Sequence, residues 1–292
     1  MPSIGARPLR RVSTPSAPRR RRARFGVGEW IAFAVLAILL ACTLAPGWLA
    51  PYAPLAVDPA AAFSGPSLAH PFGTDDSGRD VLSRVIFGAR ESLTIGITAT
   101  LAGLVGGIAL GALAGGSRSR VWAPVRFVAD RVIEALFAFP GLLLALLLLT
   151  VWGPGVGSVI AAVAISTAPG YARMVRGGVR QTLGSGPVEA ARLQGDRAFR
   201  VWATLVLPEA LRPVLVLATL GVGYAVVLAA ALGFLGLGSP PPAPEWGAML
   251  NAGRPYLTKA WWITFFPGAM ILAVGIATTV VGRALAPERS FR

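Results

Sequence analysis

Apolar residues gather in six runs, at 30–50, 93–116, 135–152, 156–172, 214–238 and 262–282, and none of them contains Asp, Glu, Lys or Arg. A helix crossing a hydrocarbon core of about 30 Å needs about 20 such residues. Four runs reach that length, and the third and fourth reach it by extending into their polar flanks. One run alone is compatible with a buried helix of a soluble core. Six in one chain predict an all-α, multi-pass membrane protein with six transmembrane helices. The first run is longer than the 7 to 15 residues of a signal-peptide core and follows 29 residues of chain, so it reads as a retained helix. The polar intervals then divide the chain. An Arg-rich tail at 1–28, expected to be disordered and to face lipid, precedes a first helix at 29–50. An outer loop at 51–91 leads to a five-helix core at 92–286, with a cytoplasmic segment at 185–208 and a short tail at 287–292.

Charge sets the orientation. With the N-terminus inside and all six helices crossing, the inner segments hold eight, four, seven and three basic residues, which is 22 of the 27. Outside lie Arg79, Arg84, Arg90, Arg254 and Lys259. Cytoplasmic loops of membrane proteins carry the excess of Lys and Arg, so both termini are expected inside. The net charge of +14 is thereby assigned to anionic lipid rather than to nucleic acid. Composition agrees: only 14% of residues are charged, against roughly 25% in soluble domains, and the mean hydropathy is +0.65.

Gly103, Gly107, Gly111 and Gly115 recur every fourth residue along the second run. They form a groove on one helix face, and small-residue stripes let helices approach closely in lipid. The spacing predicts a packing face without naming the helix that fills it.

Several kinds of chemistry are missing. His70 and Cys42 are the sole residues of their kinds, which excludes a disulfide framework, a multi-cysteine metal site and a helical pair of zinc-binding histidines. The single lysine, Lys259, is followed by Ala260, so the chain has no GxxxxGK[ST] phosphate loop. The six runs hold no Asp, Glu or His to relay protons. Neither catalytic residues nor a cofactor or metal are expected here. Any active transport would therefore need energy from another subunit, or there is no active transport.

The cytoplasmic segment is the informative one. Gly186 and Pro187 suit a helix start, with proline in the first turn, and Glu189 lies where the helix dipole favours negative charge. Ala190 and Ala191 are small, and Gly195 permits a turn. Phe199, Trp202 and Leu205 are spaced to line one face of a second short helix, and Pro208 marks the start of the fifth span. An ordinary loop and a docking helix for a soluble partner both fit these features.

The spacing Glu189-Ala190-Ala191, three residues, Gly195, nine residues, Leu205, one residue, Leu207-Pro208 resembles the EAA loop of ABC importer permeases, with Leu205 in place of the usual Ile and Glu209 where Asn often follows the LP pair. Residues 70–91 (HPFGTDDSGRDVLSRVIFGARE), 169–176 (PGYARMVR) and 232–250 (LGFLGLGSPPPAPEWGAML) are similar to the second permease of dipeptide, oligopeptide and nickel importers. The likeness runs from about residue 24 to residue 287.

The resemblance implies a type I importer permease fold with cytoplasmic Glu189 to Gly195 as the helix that couples to an ATPase. It implies a heterodimer with a homologous permease, two ATPase subunits that hold ATP and Mg, and an extracytoplasmic substrate-binding protein. That protein is expected to dock near Asp75, Asp76, Arg79, Asp80, Glu245, Trp246 and Arg254. Peptides are the leading cargo, with nickel chelates, haem, glutathione or sugars as alternatives. A membrane enzyme or scaffold without an ATPase partner is the reading from another class.

Overall fold

The computed structural model describes residues 26–116 and 120–285. Most of the Arg-rich tail and the stretch 287–292 lie outside them. The described residues are helical throughout, apart from connecting segments and one isolated bridge between Thr74 and Asp80.

Helix α1 (Val27–Leu44) is followed by a single turn, α2 (Pro46–Leu49). The first helix therefore ends six residues before position 50. Pro46 has no N–H to donate and its ring disfavours the helical conformation at Ala45, whose φ and ψ are −136° and 55°.

Helix α3 (Val81–Gly115) is 35 residues long, or about 52 Å at 1.5 Å per residue. It begins twelve residues before the apolar run, inside what reads by hydropathy as outer loop. Arg84, Arg90 and Glu91 interrupt the apolar run, but Val81, Val85, Ala89 and Leu93, four residues apart, are all buried. Asp80 caps the helix, accepting from the Ser83 N–H and Oγ, both at 2.7 Å.

The third apolar run is broken. Helix α4 (Ala123–Phe137) and helix α5 (Gly141–Trp152) meet at 98° across a three-residue gap. Pro140 interrupts the ladder, and α5 alone spans only about 18 Å. Helix α6 (Val156–Leu183) continues eleven residues past its apolar run, so Arg173, Arg176 and Arg180 extend a membrane helix rather than begin a loop. Then come α7 (Gly186–Leu193), α8 (Ala198–Val201), a π turn at Trp202–Val206, and α9 (Leu207–Phe234). Helix α10 (Trp246–Gly253) lies on the outer side before α11 (Trp262–Leu285).

Five of these helices, α1, α3, α6, α9 and α11, are long and apolar enough to cross a membrane, and the α4–α5 pair makes a sixth if taken as one span. The glycine stripe decides that point. A Cβ built on Gly103 would lie 2.9 Å from the Ala164 carbonyl oxygen; on Gly107, 2.8 Å from that of Ala168; on Gly111, 2.5 Å from that of Ala172; on Gly115, 3.1 Å from that of Arg176. Both helices advance by four residues at every step, so α3 and α6 run parallel in register. Two parallel spans need one return crossing between them, and among the described residues only α4–α5 is available to make it.

Helix α9 runs antiparallel to α11: Gly223 faces Gly275 and Thr278, and Gly282 faces Thr219 and Leu220. Helix α1 lies on the outside of this bundle, with Ala32 packed near Ala277 and Val281.

Candidate functional site

Helix α7 hangs beneath the inner ends of α6 and α9. Val188 and Ala191, three residues apart, are buried in a cluster with Val179, Val201, Val206 and Ala210. Leu205 and Trp202 pack against the same cluster. Ser185 precedes the helix, and Pro187 sits in its first turn with Glu189. At the other end the Gly195 N–H donates to the Arg192 carbonyl and the Asp196 N–H to the Ala191 carbonyl, both at 3.0 Å. With Gly195 at φ +81°, this is the two-bond Schellman closure that glycine permits. The opposite face of α7 is open. Glu189, Ala190 and Arg192 are exposed, and Leu193 is 84% exposed.

Of the two small residues, Ala191 is buried in the protein's own core and Ala190 is exposed. One expectation needs correction. Phe199 does not share a buried face with Trp202 and Leu205. It is 84% exposed, whereas Trp202 and Leu205 pack on the cluster beneath α6 and α9. Phe199 and Leu193 thus place two apolar side chains in water on the cytoplasmic side. Leu207 is half-buried and Pro208 exposed at the first turn of α9.

The outer rim differs more from the sequence reading. Four of the seven residues expected to meet a partner are buried and hold the rim together. Asp75 accepts from the Ser77 and Arg79 N–H groups at 2.9 and 2.8 Å and lies 3.6 Å from both the Arg79 and Arg84 guanidinium groups. Asp80 caps α3 and contacts His70 Nδ1 at 2.9 Å. Trp246 is fully buried, its indole N–H donating to the Val85 carbonyl at 3.0 Å.

Glu245 caps α10, accepting from the Gly247 and Ala248 N–H groups at 2.7 and 2.8 Å and from Ser92 Oγ at 3.3 Å. Hydropathy and charge mark polar residues in a loop, and cannot tell a cap from a contact. Asp76 and Arg254 are exposed and Arg79 half-buried. Asp76 and Arg79 line an outer cavity of about 450 Å³ with Pro241 and Met249.

Burial pushes the Glu245 carboxyl above its ordinary range, against the opposing pull of its hydrogen bonds. A group whose folded pKa is raised adds stability that is full below the unfolded value, near 4.5, and is lost as pH rises through the folded one. Thermal unfolding of the purified protein should therefore gain stability from this group on acidification from pH 7.5 towards 5. Glu245→Gln should remove that component of the pH dependence. Parallel pH profiles for the two proteins would contradict it.

Sequence reasoning missed a clamp on the inner side. Asp130 of α4 pairs with Arg176 at 2.7 Å and Arg180 at 3.0 Å on α6. Arg180 also donates to the Ala114 carbonyl at the end of α3. The charged residues of α4, spaced at 126, 130, 131 and 134, were the available signal.

These parts define a polytopic membrane subunit that presents one short helix to the cytoplasm and a braced rim outside. Residues 107–290 match the family of binding-protein-dependent transport system inner membrane components. The chain belongs to this family and is an ABC transporter permease of the inner membrane.

It is 39% identical over 254 residues to the di/tripeptide transport system permease protein DppC of Pseudomonas aeruginosa, covering 85% of this chain and 82% of that one. It is 37% identical over 264 residues to the dipeptide transport system permease protein DppC of Escherichia coli K12, covering 88% and 87%. It is 38% identical over 287 residues to a putative peptide transport system permease protein of Brucella suis, covering 98% and 92%.

Its fold is that of type I importer permeases. It is similar to a chain of the methionine ABC transporter MetNI in inward-facing conformations, with TM-score 0.52, 22% identity and coverage of 71% and 97%. A chain of an amino acid ABC transporter crystallised with histidines gives TM-score 0.56, 18% identity and coverage of 70% and 92%.

Proposed function

We propose that this permease forms one half of the membrane channel of an ATP-driven importer of di- and oligopeptides. A homologous permease supplies the other half. Two ATPase subunits hold ATP and Mg and dock from the cytoplasm, one of them on α7, and a binding protein delivers cargo to the outer rim at Asp76, Arg79 and Arg254.

The observation that carries this reading is α7 itself: a two-turn helix fixed to the bundle by Val188 and Ala191, with Glu189, Ala190 and Leu193 turned to water. Apolar surface beside charge on a short exposed helix suits a partner groove. ATP binding would move α7, and through it α6 and α9, as rigid parts. The peptide assignment is supported by the names of the relatives.

The reading is tested by purifying the permease with its native partners, reconstituting them in vesicles and following a labelled dipeptide. ATP-dependent accumulation that requires the binding protein is expected. Co-purification without an ATPase subunit would overturn it.

A further inference from the structure

A cavity of about 480 Å³ lies on the inner side between α3, α4 and α6, lined by Gly115, Gly116, Arg126 and Arg180. Small-ligand sites run from about 300 to 1,000 Å³. Gly115 closes α3, Arg126 stands three residues into α4, and Arg180 stands three residues before the end of α6. Both arginines are therefore about 5 Å from the inner ends of their helices. Helix α6 is about 42 Å long, against a hydrocarbon core of about 30 Å. Its last turn, and the cavity beside it, lie at the level of the lipid headgroups.

The two facing rows are rich in positive charge. Arg126 is one turn from Asp130 on α4, and Arg176 is one turn from Arg180 on α6. The groups of opposite sign are Asp130 and the last carbonyls of α3. Asp130 already receives Arg176 and Arg180, and the Ala114 carbonyl receives Arg180. Among the described residues, each of these Arg180 bonds uses Nη2, and the side chain is 46% exposed. Its Nε and Nη1 hydrogens are left for a ligand. The planar guanidinium fork matches the oxygens of a phosphate.

An apolar row starts beside Arg126. Val125, Val128 and Val132 follow one another along α4 at three and four residues, and all are exposed. Val121 and Trp122, in the turn before the helix, are exposed as well. Tryptophan is enriched at the boundary between headgroups and hydrocarbon. A free phosphate makes no use of such a row, whereas the chains of a phospholipid lie along it.

We propose that this cavity holds the phosphate of an anionic phospholipid of the inner leaflet. Arg126 and the Nε and Nη1 hydrogens of Arg180 donate to its oxygens, and its acyl chains lie along Val125, Val128 and Val132. Basic pockets between membrane helices on the cytoplasmic side hold such headgroups. The bound headgroup ties α4 to α6 at the inner end of α3, beside the Asp130 clamp. Nothing in this assignment depends on the cargo.

The test uses the permease purified with its native partners and stripped of lipid. It is titrated with phosphatidylglycerol, phosphatidylcholine or inorganic phosphate, and bound copies are followed by native mass spectrometry. Phosphatidylglycerol should bind about tenfold more tightly than phosphatidylcholine, as two arginines at the headgroup predict. Arg126→Gln, which leaves the Asp130 clamp in place, should weaken phosphatidylglycerol about tenfold through loss of a charge-assisted hydrogen bond. Arg131→Gln, at an exposed position paired with Glu134, should bind it as the wild type does, which separates this cavity from general surface charge. Val125→p-benzoylphenylalanine, illuminated in native membranes, should form adducts with phospholipid, a readout that needs no arginine variant to fold. Equal affinity for the two lipids, or unchanged binding by Arg126→Gln, would overturn the assignment. So would inorganic phosphate binding as tightly as the lipid, or adducts of position 125 with the second permease in place of lipid.

Discussion

Gly107→Leu is expected to leave almost no folded permease in the membrane, while Gly106→Leu, one residue away, leaves it at the wild-type level. A Cβ at Gly107 would lie 2.6 Å from Tyr171 Cβ and 2.8 Å from the Ala168 carbonyl oxygen, whereas one at Gly106 would meet nothing within 4 Å. The neighbours of Gly107 include backbone, which cannot rotate away. Accommodating leucine means prising α3 from α6, and overpacking of this kind costs about 1–3 kcal/mol or more. Helices in lipid associate through close packing rather than hydrophobic burial, so little compensates. Membrane abundance of the two variants, measured with the partner permease co-expressed, decides the matter. Equal abundance would mean that the α3–α6 contact does not hold the fold.

Gly195→Val is expected to abolish transport at normal membrane abundance. Nothing lies within 4 Å of a Cβ at this site, so the effect is not steric contact with the rest of the chain. It comes from φ +81°, where an ordinary residue is penalised by roughly 1–2 kcal/mol and a β-branched one by more. Valine would open the Schellman closure and let the end of α7 swing, carrying Leu193 and Phe199 away from their places. The membrane helices do not depend on this turn, and insertion should survive. ATP hydrolysis should stop responding to the loaded binding protein. Wild-type transport by this variant would show that α7 is not where the ATPase couples.

The six apolar runs, the basic inner loops and the glycine stripe were legible because lipid imposes a simple rule: a helix that crosses must be apolar, and its close contacts must be small. The start, dipole charge and closure of α7 were legible too, from Pro187, Glu189 and Gly195, since capping is local chemistry. What failed was everything that depends on the far side of a contact. Arg84 and Glu91 hid the first turns of α3, because hydropathy cannot see that Val81, Val85 and Ala89 lie under Trp246. Asp75, Asp80 and Glu245 looked like free surface charge, because a cap and a docking residue have the same side chain. Pro140-Gly141 inside a leucine-rich run was a visible mark of the α4–α5 break.

Helices α3 and α6 interlock tooth by tooth over four successive turns, so neither can slide or twist on the other without lifting out of its groove. The pair is a stiff beam. One end carries the outer rim through Asp80 and Ser92. The other end is braced by Asp130, Arg176 and Arg180, close to where α7 is hung. A beam about 52 Å long moves its far tip by roughly 4 to 5 Å when tilted by about 5°. In the cycle proposed above, a small rotation at the cytoplasmic end is therefore delivered as a larger displacement of the outer rim, with no chain of side-chain rearrangements needed to carry it.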